Sequence, residues 1–313
     1  MKNTIILLIL SIQAILTQAQ VFDITWQNCF GGTYQDEAYD IIQAEDGYLI
    51  IGATQSIDGD VSYNHGGDDV WIIKIDTMGN FIWEKCLGGS YGDGGSRILN
   101  TTNGNFYILA GAYSSDGDIT YDPYPNSSDF WIIKINPEGG IIWDKIVGSS
   151  KLNHMSSGVA TDDGGVVAIG WSSTNDGDMT EWYGYYDMWM IKLDSTGLVE
   201  WDFTLGGSDF DIGYDIIQTN DGGFLVAGSA VVKPGGNLEC DLHGQADAML
   251  IKLDSARNIE WQKCYGGSDY DGATRVMEIN NGQQACQTIQ RLHEWILALG
   301  PTGSQPAMGF VCR

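Results

Sequence analysis

The sequence predicts an all-β protein: a β-propeller of four-stranded antiparallel blades, with four complete units and a partial fifth. Three observations predict it. Tryptophan returns at a near-constant interval, since Trp26, Trp83, Trp143, Trp201 and Trp261 are 57, 60, 58 and 60 residues apart. Glycine-containing turns recur at a fixed phase after each of them, with Gly31-Gly32-Thr33, Gly88-Gly89-Ser90, Gly148-Ser149-Ser150, Gly206-Gly207-Ser208 and Gly266-Gly267-Ser268 in matching places. No amphipathic helix of useful length precedes residue 283. Four short apolar runs per period fit a propeller blade, whereas the coils of a β-solenoid are shorter than this.

The elements follow in order. Residues 1–19 read as a secretory signal peptide: Lys2, an apolar run over 5–15, then Thr17 and Ala19 as small residues before a cleavage site. The apolar run is shorter than the roughly 20 residues that a membrane span needs, and no later run is long enough to cross a bilayer. Residues 22–29, carrying Trp26, match the outer strand of a blade and predict a strand that closes the ring by pairing into the last blade.

In the first full unit, 39–43 and 48–53 form a hairpin around Glu45-Asp46-Gly47. Strands at 70–76 and 81–86 follow, joined by Asp76-Thr77-Met78-Gly79-Asn80. Asn103-Gly104, Asp163-Gly164, Asp221-Gly222 and Asn281-Gly282 repeat the first turn, and such pairs supply the positive φ that tight hairpins require. Units therefore start near 26, 83, 143, 201 and 261, and the repeat region is 20–282.

Beyond Gly282 the pattern fails, although the fifth unit is incomplete. Of 41 acidic residues only Glu294 lies in 283–313, and Ile289, Leu292, Ile296 and Leu299 fall at helical spacing. Two readings of this non-repeat tail stand: a terminal helix that caps the ring, or foreign sequence replacing the true end of a truncated propeller.

The phrases Asp69-Val70-Trp71-Ile72-Ile73-Lys74, Asp129-Phe130-Trp131-Ile132-Ile133-Lys134 and Asp187-Met188-Trp189-Met190-Ile191-Lys192 are nearly the same, and the fourth copy, Asp247-Ala248-Met249-Leu250-Ile251-Lys252, lacks the Trp. On these phrases, over about residues 20–282, the chain resembles the bacterial β-propeller repeat often called SBBP. The resemblance implies a propeller in an extracellular setting, like Bacteroidota-type secreted repeat proteins sometimes labelled bulb-type lectin-like. It implies no catalytic residue.

With 41 acidic against 15 basic residues and a formal charge of −26, the chain is a poor partner for nucleic acid or for an anionic membrane surface. No His-Glu-x-x-His, Gly-x-Ser-x-Gly or phosphate-binding loop is present. Period two places Trp71, Ile73 and Ile75 on one face, packed between blades. Trp171 and Trp182 break the period, and Trp182-Tyr183-Gly184-Tyr185-Tyr186 is an aromatic loop. Trp171, Trp182, Tyr183, Tyr185 and Tyr186 are therefore the candidate ligand-binding residues.

Three acidic loops pair Asp58 with Asp60, Asp116 with Asp118 and Asp176 with Asp178. Carboxylates flanking a Gly turn suit either an Asx-type turn or calcium, the single cofactor the sequence suggests. The mid-strand Lys74, Lys134, Lys192 and Lys252 need partners, and the blade-start acids Asp36, Asp93, Asp211 and Asp271 are the expected ones. Cys29, Cys86 and Cys264 share one strand slot in different units, so few or no disulfides are expected. The functional expectation is an exported, non-catalytic module that binds a glycan or a surface protein. A secreted carbohydrate-active enzyme and a purely structural spacer are the alternatives.

Overall fold

A computed structural model describes residues 24–231, 235–279, 283–290 and 293–299; the signal peptide expected at 1–19 lies outside the described residues. All regular elements among these are strands. Blade 1 comprises β1 (Asp36–Ala44), β2 (Gly47–Thr54), β3 (Asp69–Asp76) and β4 (Phe81–Leu87), paired in that order. Blade 2 comprises β5 (Asp93–Asn100), β6 (Phe106–Ala112), β7 (Asp129–Ile135) and β8 (Ile141–Val147). Blade 3 runs through β9 (Asn153–Ala160), β10 (Val166–Ser172), β11 (Asp187–Leu193) and β12 (Val199–Leu205). Blade 4 has β13 (Asp211–Gln218), β14 (Phe224–Ala230), β15 (Asp247–Leu253) and β16 (Ile259–Tyr265). Three further strands, β17 (Asp271–Ile279), β18 (Gln283–Gln290) and β19 (His293–Leu299), make the fifth sheet.

The hairpin turns fall at the expected dipeptides, but only the Gly of each pair takes a positive φ, and Asn103, Asp163 and Asp221 do not. Gly104, Gly164 and Gly222 hold φ of 81°, 84° and 80°, a region that side chains other than Gly rarely enter. Where the β15–β16 turn has lost its glycine, Arg257 takes a φ of 69° and lays its guanidinium over Trp201 at 4.6 Å.

The innermost strands pack on one another in sequence: β1 on β5, β5 on β9, β9 on β13 and β13 on β17. A register shift interrupts all five, between Ala38/Asp40, Gly95/Arg97, Met155/Ser157, Gly213/Asp215 and Ala273/Arg275. Such a bulge bends a strand and re-aims the next side chain. Arg97 thereby reaches Asp40 at 3.6 Å and Asp215 at 4.0 Å, and Ser157 Oγ donates to Asp215 at 2.6 Å. One guanidinium thus ties together blades 1, 2 and 4 where the inner strands converge.

The hydrophobic core is a series of layers between successive sheets. Leu49, Ile51 and Ile72 pack with Ile108 and Trp131; Leu109 and Phe130 with Trp189 and Ile191; Ile169 and Met190 with Phe224 and Ile251. Trp71, Ile73 and Ile75 are buried, but under Trp26 and Phe30 of the segment before blade 1 instead of between two blades. Each such aliphatic side chain contributes roughly 1.5–3 kcal/mol relative to exposure. No blade covers the leading face of blade 1: Trp26 and Phe30 pack over Trp71, Ile73 and Ile75 there, but nearer the inner strand Ile41 is 52% exposed, while Ile98 and Ile216, at the same place in the repeat, are each 1%.

Three further expectations need correction. Residues 24–30 form no strand. Trp26 nevertheless lies against Gly79 in the β3–β4 turn, as Trp83 lies against Gly139 and Trp143 against Gly197. The segment therefore occupies the place of an outer strand without a sheet beside it.

The helix suggested by the spacing of 287–299 is replaced by β18 and β19, paired with Gln284 opposite Leu299. A lone β17 would leave a row of backbone donors and acceptors unpaired, and strand addition satisfies them.

The cysteine expectation also changes, because Cys240 and Cys264 are bonded, with Cα atoms 6.0 Å apart. The Cys264 slot faces a loop of its own blade instead of its counterparts in other blades. In blade 3 the same slot holds Thr204, whose Oγ1 donates to the Glu181 carbonyl at 2.8 Å.

Candidate functional site

The recurring charges are structural. Lys192 pairs with Asp163 and Glu200, each at 3.0 Å; Lys252 pairs with Asp221 at 2.8 Å and Glu260 at 3.1 Å; Lys74 pairs with Asp46. The partners are acids of the first hairpin turn, joined in blades 3 and 4 by Glu200 and Glu260 of the outer strand, and not the blade-start acids, because a lysine near the end of its strand points along the sheet toward that turn. Burial works against ionisation of Asp163 and Asp221, yet Thr161, Gly165 and Lys192 hold Asp163 down to about 2, and Lys252, Thr219 and Gly223 do the same for Asp221. In blade 2 the turn acid is Asn103; Lys134 contacts Tyr107 Oη and the Ser195 carbonyl instead, and burial lowers its pKa.

The six acidic-loop residues act as clips on the linker that feeds their own blade. Asp58 accepts from Thr33 N–H at 2.7 Å and Thr33 Oγ1 at 2.6 Å, and Asp116 and Asp176 do the same with Ser90 and Ser150. Asp60, Asp118 and Asp178 accept from the N–H groups of Gly31, Gly88 and Gly148. In blade 4, Asn237 Oδ1 takes the second place, on Gly206 N–H at 3.0 Å. Among the described residues, no group of three or more His, Cys, Asp or Glu side chains converges as metal ligands would.

What breaks the repeat gathers at the inner strands. There the strands border a cleft of about 920 Å³ that opens to solvent. Glu37 and Tyr39 enter it from β1, His154 from β9, Trp171 from β10, Tyr214 from β13 and Arg275 from β17, while Tyr113 follows β6. Tyr39 and Tyr113 are each 50% exposed. The Tyr39 hydroxyl donates to Glu37, which lowers the carboxyl's pKa and pushes the phenol up to about 12. Partial desolvation in the cleft lowers His154 below the ordinary imidazole value.

From the cleft wall a ladder of rings crosses to the next blade. His154 stacks on Trp171 (5.4 Å, 2°), and Trp171 meets Tyr186 at 4.3 Å. Tyr186 is edge-on to Phe210 at 5.0 Å, and Phe210 stacks on Tyr185 at 5.4 Å. A parallel bridge between Tyr186 and Phe210 fixes that crossing.

Of the candidate residues, Trp171, Tyr185 and Tyr186 are brought together and two are not. Trp182 is exposed outside the ladder, and Tyr183 donates its hydroxyl to Glu181 and its N–H to Asp187. Sequence reasoning missed His154, Phe210, Tyr39, Tyr113 and Tyr214. Their signal was positional: His154 and Phe210 flank the blade-start residue, Tyr39 and Tyr214 sit on the bulge three places after it, and Tyr113 follows β6.

No protein-family model matches the chain, and no curated protein does. Among solved structures, a Synechocystis apocarotenoid oxygenase aligns at 10% identity with a TM-score of 0.44, covering 88% of this chain and 62% of its own. The chain thus spans about three fifths of that enzyme's length. A mannose phosphorylase from Leishmania mexicana aligns at 10% identity and TM-score 0.39, covering 88% of each chain. Prolyl oligopeptidase B from Galerina marginata aligns at 12% identity and TM-score 0.43, covering 88% of this chain and 35% of its own.

Proposed function

We propose that this chain is an exported, non-catalytic binding module that takes a neutral glycan in the cleft at its inner strands. The observation that carries the reading is the pair of half-exposed phenol rings, Tyr39 and Tyr113, in a cleft otherwise lined by side chains such as Glu37 and Gln55. Sugar rings offer an apolar face to an aromatic ring and hydroxyls to carboxylates and amides. The strongly acidic chain repels anionic ligands, which favours a neutral one. Export rests on the leader at 1–19, and mature protein collected outside the cell is expected to begin at Gln20.

A glycan array tests the binding. Retained neutral glycans, lost on Tyr113→Ala, support the reading. A blank array overturns it, and release of reducing sugar from a retained polysaccharide would make the chain an enzyme instead.

A further inference from the structure

We propose that the blade joints at Asp69, Asp187 and Asp247 each bind one proton, shared between that carboxyl group and the blade-start carboxylate 24 positions later. The pairs are Asp69 with Asp93, Asp187 with Asp211 and Asp247 with Asp271. The inference is independent of the glycan reading. All three leading acids are fully buried, and Oδ1 of each has no hydrogen-bond partner. Their Oδ2 atoms are satisfied, by His65 N–H and Nδ1, by Tyr183 and Gly184 N–H, and by His243 N–H and Nδ1.

At the Asp69 and Asp247 joints the orphan oxygen lies beside the second acid, and at the Asp187 joint Oδ1 of the buried Asp211 is orphaned as well. A methyl group added to Gly88 would sit 2.5 Å from Asp69 Oδ1 and 3.0 Å from Asp93 Oδ2. At Gly266 the same distances are 2.6 Å to Asp247 Oδ1 and 2.7 Å to Asp271 Oδ2. A buried acceptor facing a carboxylate lacks a donor, and a proton on either oxygen supplies one.

The remaining joint shows what fills the gap. There the blade-start acid is Asn153, and its Nδ2 donates to Asp129 Oδ1 at 2.7 Å. A carboxamide is the permanent form of a protonated carboxyl: one carbonyl oxygen and one N–H donor in the place of O–H. A metal ion would lose a charged ligand at that joint, whereas a proton is replaced by the amide.

The facing groups are few. Asp69 faces His65, whose Nε2 reaches Asp118, together with Asp93 and the Cys86 thiol on β4. Asp247 faces His243 and Asp271. Asp187 faces Tyr183 and Asp211, with Asp209 beside the latter; no imidazole contacts Asp187, so its joint is the cleanest. Burial pushes Asp187 up to about 6, and burial with the Asp187 charge pushes Asp211 up to about 7. Burial, with a smaller contribution from the Asp122 charge, raises Asp129 to about 6 beside neutral Asn153, so a second carboxylate there would raise it further.

A folded-state pKa above the unfolded value gives stability that is complete below the unfolded pKa and is lost as pH rises through the folded one. The unfolding constant of the full chain should therefore rise between pH 5 and pH 8, by up to tenfold per pH unit for each shared proton. A reciprocal pair of variants reads it. Asp187→Asn should remove up to one proton from the slope, and Asn153→Asp should add up to one. If Asn153→Asp folds at pH 5 but not at pH 8, that too supports the proposal. Slopes unchanged in both variants overturn it. So does stabilisation at pH 8 by added sodium or calcium chloride that disappears in Asp187→Asn, which would place a cation in the joint.

Discussion

Trp131 donates its indole N–H to Asp144 Oδ2 across 3.2 Å. Trp71 does the same to Glu84 at 3.0 Å, and Trp189 to Asp202 at 3.3 Å. The same acids accept backbone N–H groups from Ser62, Thr120 and Thr180, so one carboxylate fastens both a core ring and a loop. In blade 4 the two residues change together, to Met249 and Gln262, and Gln262 Oε1 still accepts Glu239 N–H at 3.0 Å. A buried indole donor with no acceptor is costly, so the Trp and its acid form one unit.

Trp131→Ala should destabilise the protein by about 3–5 kcal/mol, the range for a buried aromatic. Trp182→Ala, which removes a ring exposed outside the core, should leave the denaturation midpoint nearly unchanged. Chemical denaturation of the two variants side by side checks the assignment, and the reverse order would refute it.

Ile98 and Ile41 hold the same place in the repeat with opposite burial. Ile98→Ala should cost about 2–5 kcal/mol. Ile41→Ala should cost a small fraction of that, because no neighbouring layer covers it. Equal costs would show that Ile41 is covered in solution.

The Cys240–Cys264 bond closes a separation of 24 residues. Chain-entropy arguments give such a link about 3 kcal/mol. Cys240→Ser should lower the melting temperature under non-reducing conditions and abolish the effect of added reductant. A melting temperature insensitive to both would remove the bond from the account. Cys86, in the equivalent slot of blade 1, is free and its thiol is pushed up by burial, so it should react slowly with alkylating reagents.

Asp163 and Asp221 are held low by their lysines and turn donors. A depressed folded pKa gives stability that is present above the unfolded value and is lost as pH falls through the folded one. Unfolding free energy should therefore drop between about pH 4 and pH 2. The drop should be shallower in Asp163→Asn/Asp221→Asn, as measured by denaturant titration at each pH. An equal drop in that double variant would show that other carboxyls control the acid limb.

Much of the fold was legible because turns are local. Asp-Gly and Asn-Gly pairs need particular φ values, and they placed β1–β2 and its repeats within a few residues. That Trp71 and its repeats Trp131 and Trp189 are buried followed from period two alone. Partner choice was less legible. Lys192 and Asp163 lie 29 positions apart, and spacing cannot show toward which end of a strand a lysine reaches. The tail misled because four apolar residues at helical spacing ignore the unpaired edge of β17.

Half of the aromatic loop reached the ladder and half did not. A loop's composition does not say which rings face the neighbouring blade, and the bridge between Tyr186 and Phe210 decides it. The cleft itself was invisible in sequence, since its rings come from four different blades.

The claim beneath all of this is that successive sheets surround one centre, and Arg97 tests it most directly. A double-mutant cycle between Arg97→Met and Asp215→Asn measures coupling between blades 2 and 4, which an extended stack of sheets would keep apart. The account predicts a coupling energy of about 0.5–3 kcal/mol, as for residues in contact. Additivity within about 0.5 kcal/mol would contradict it.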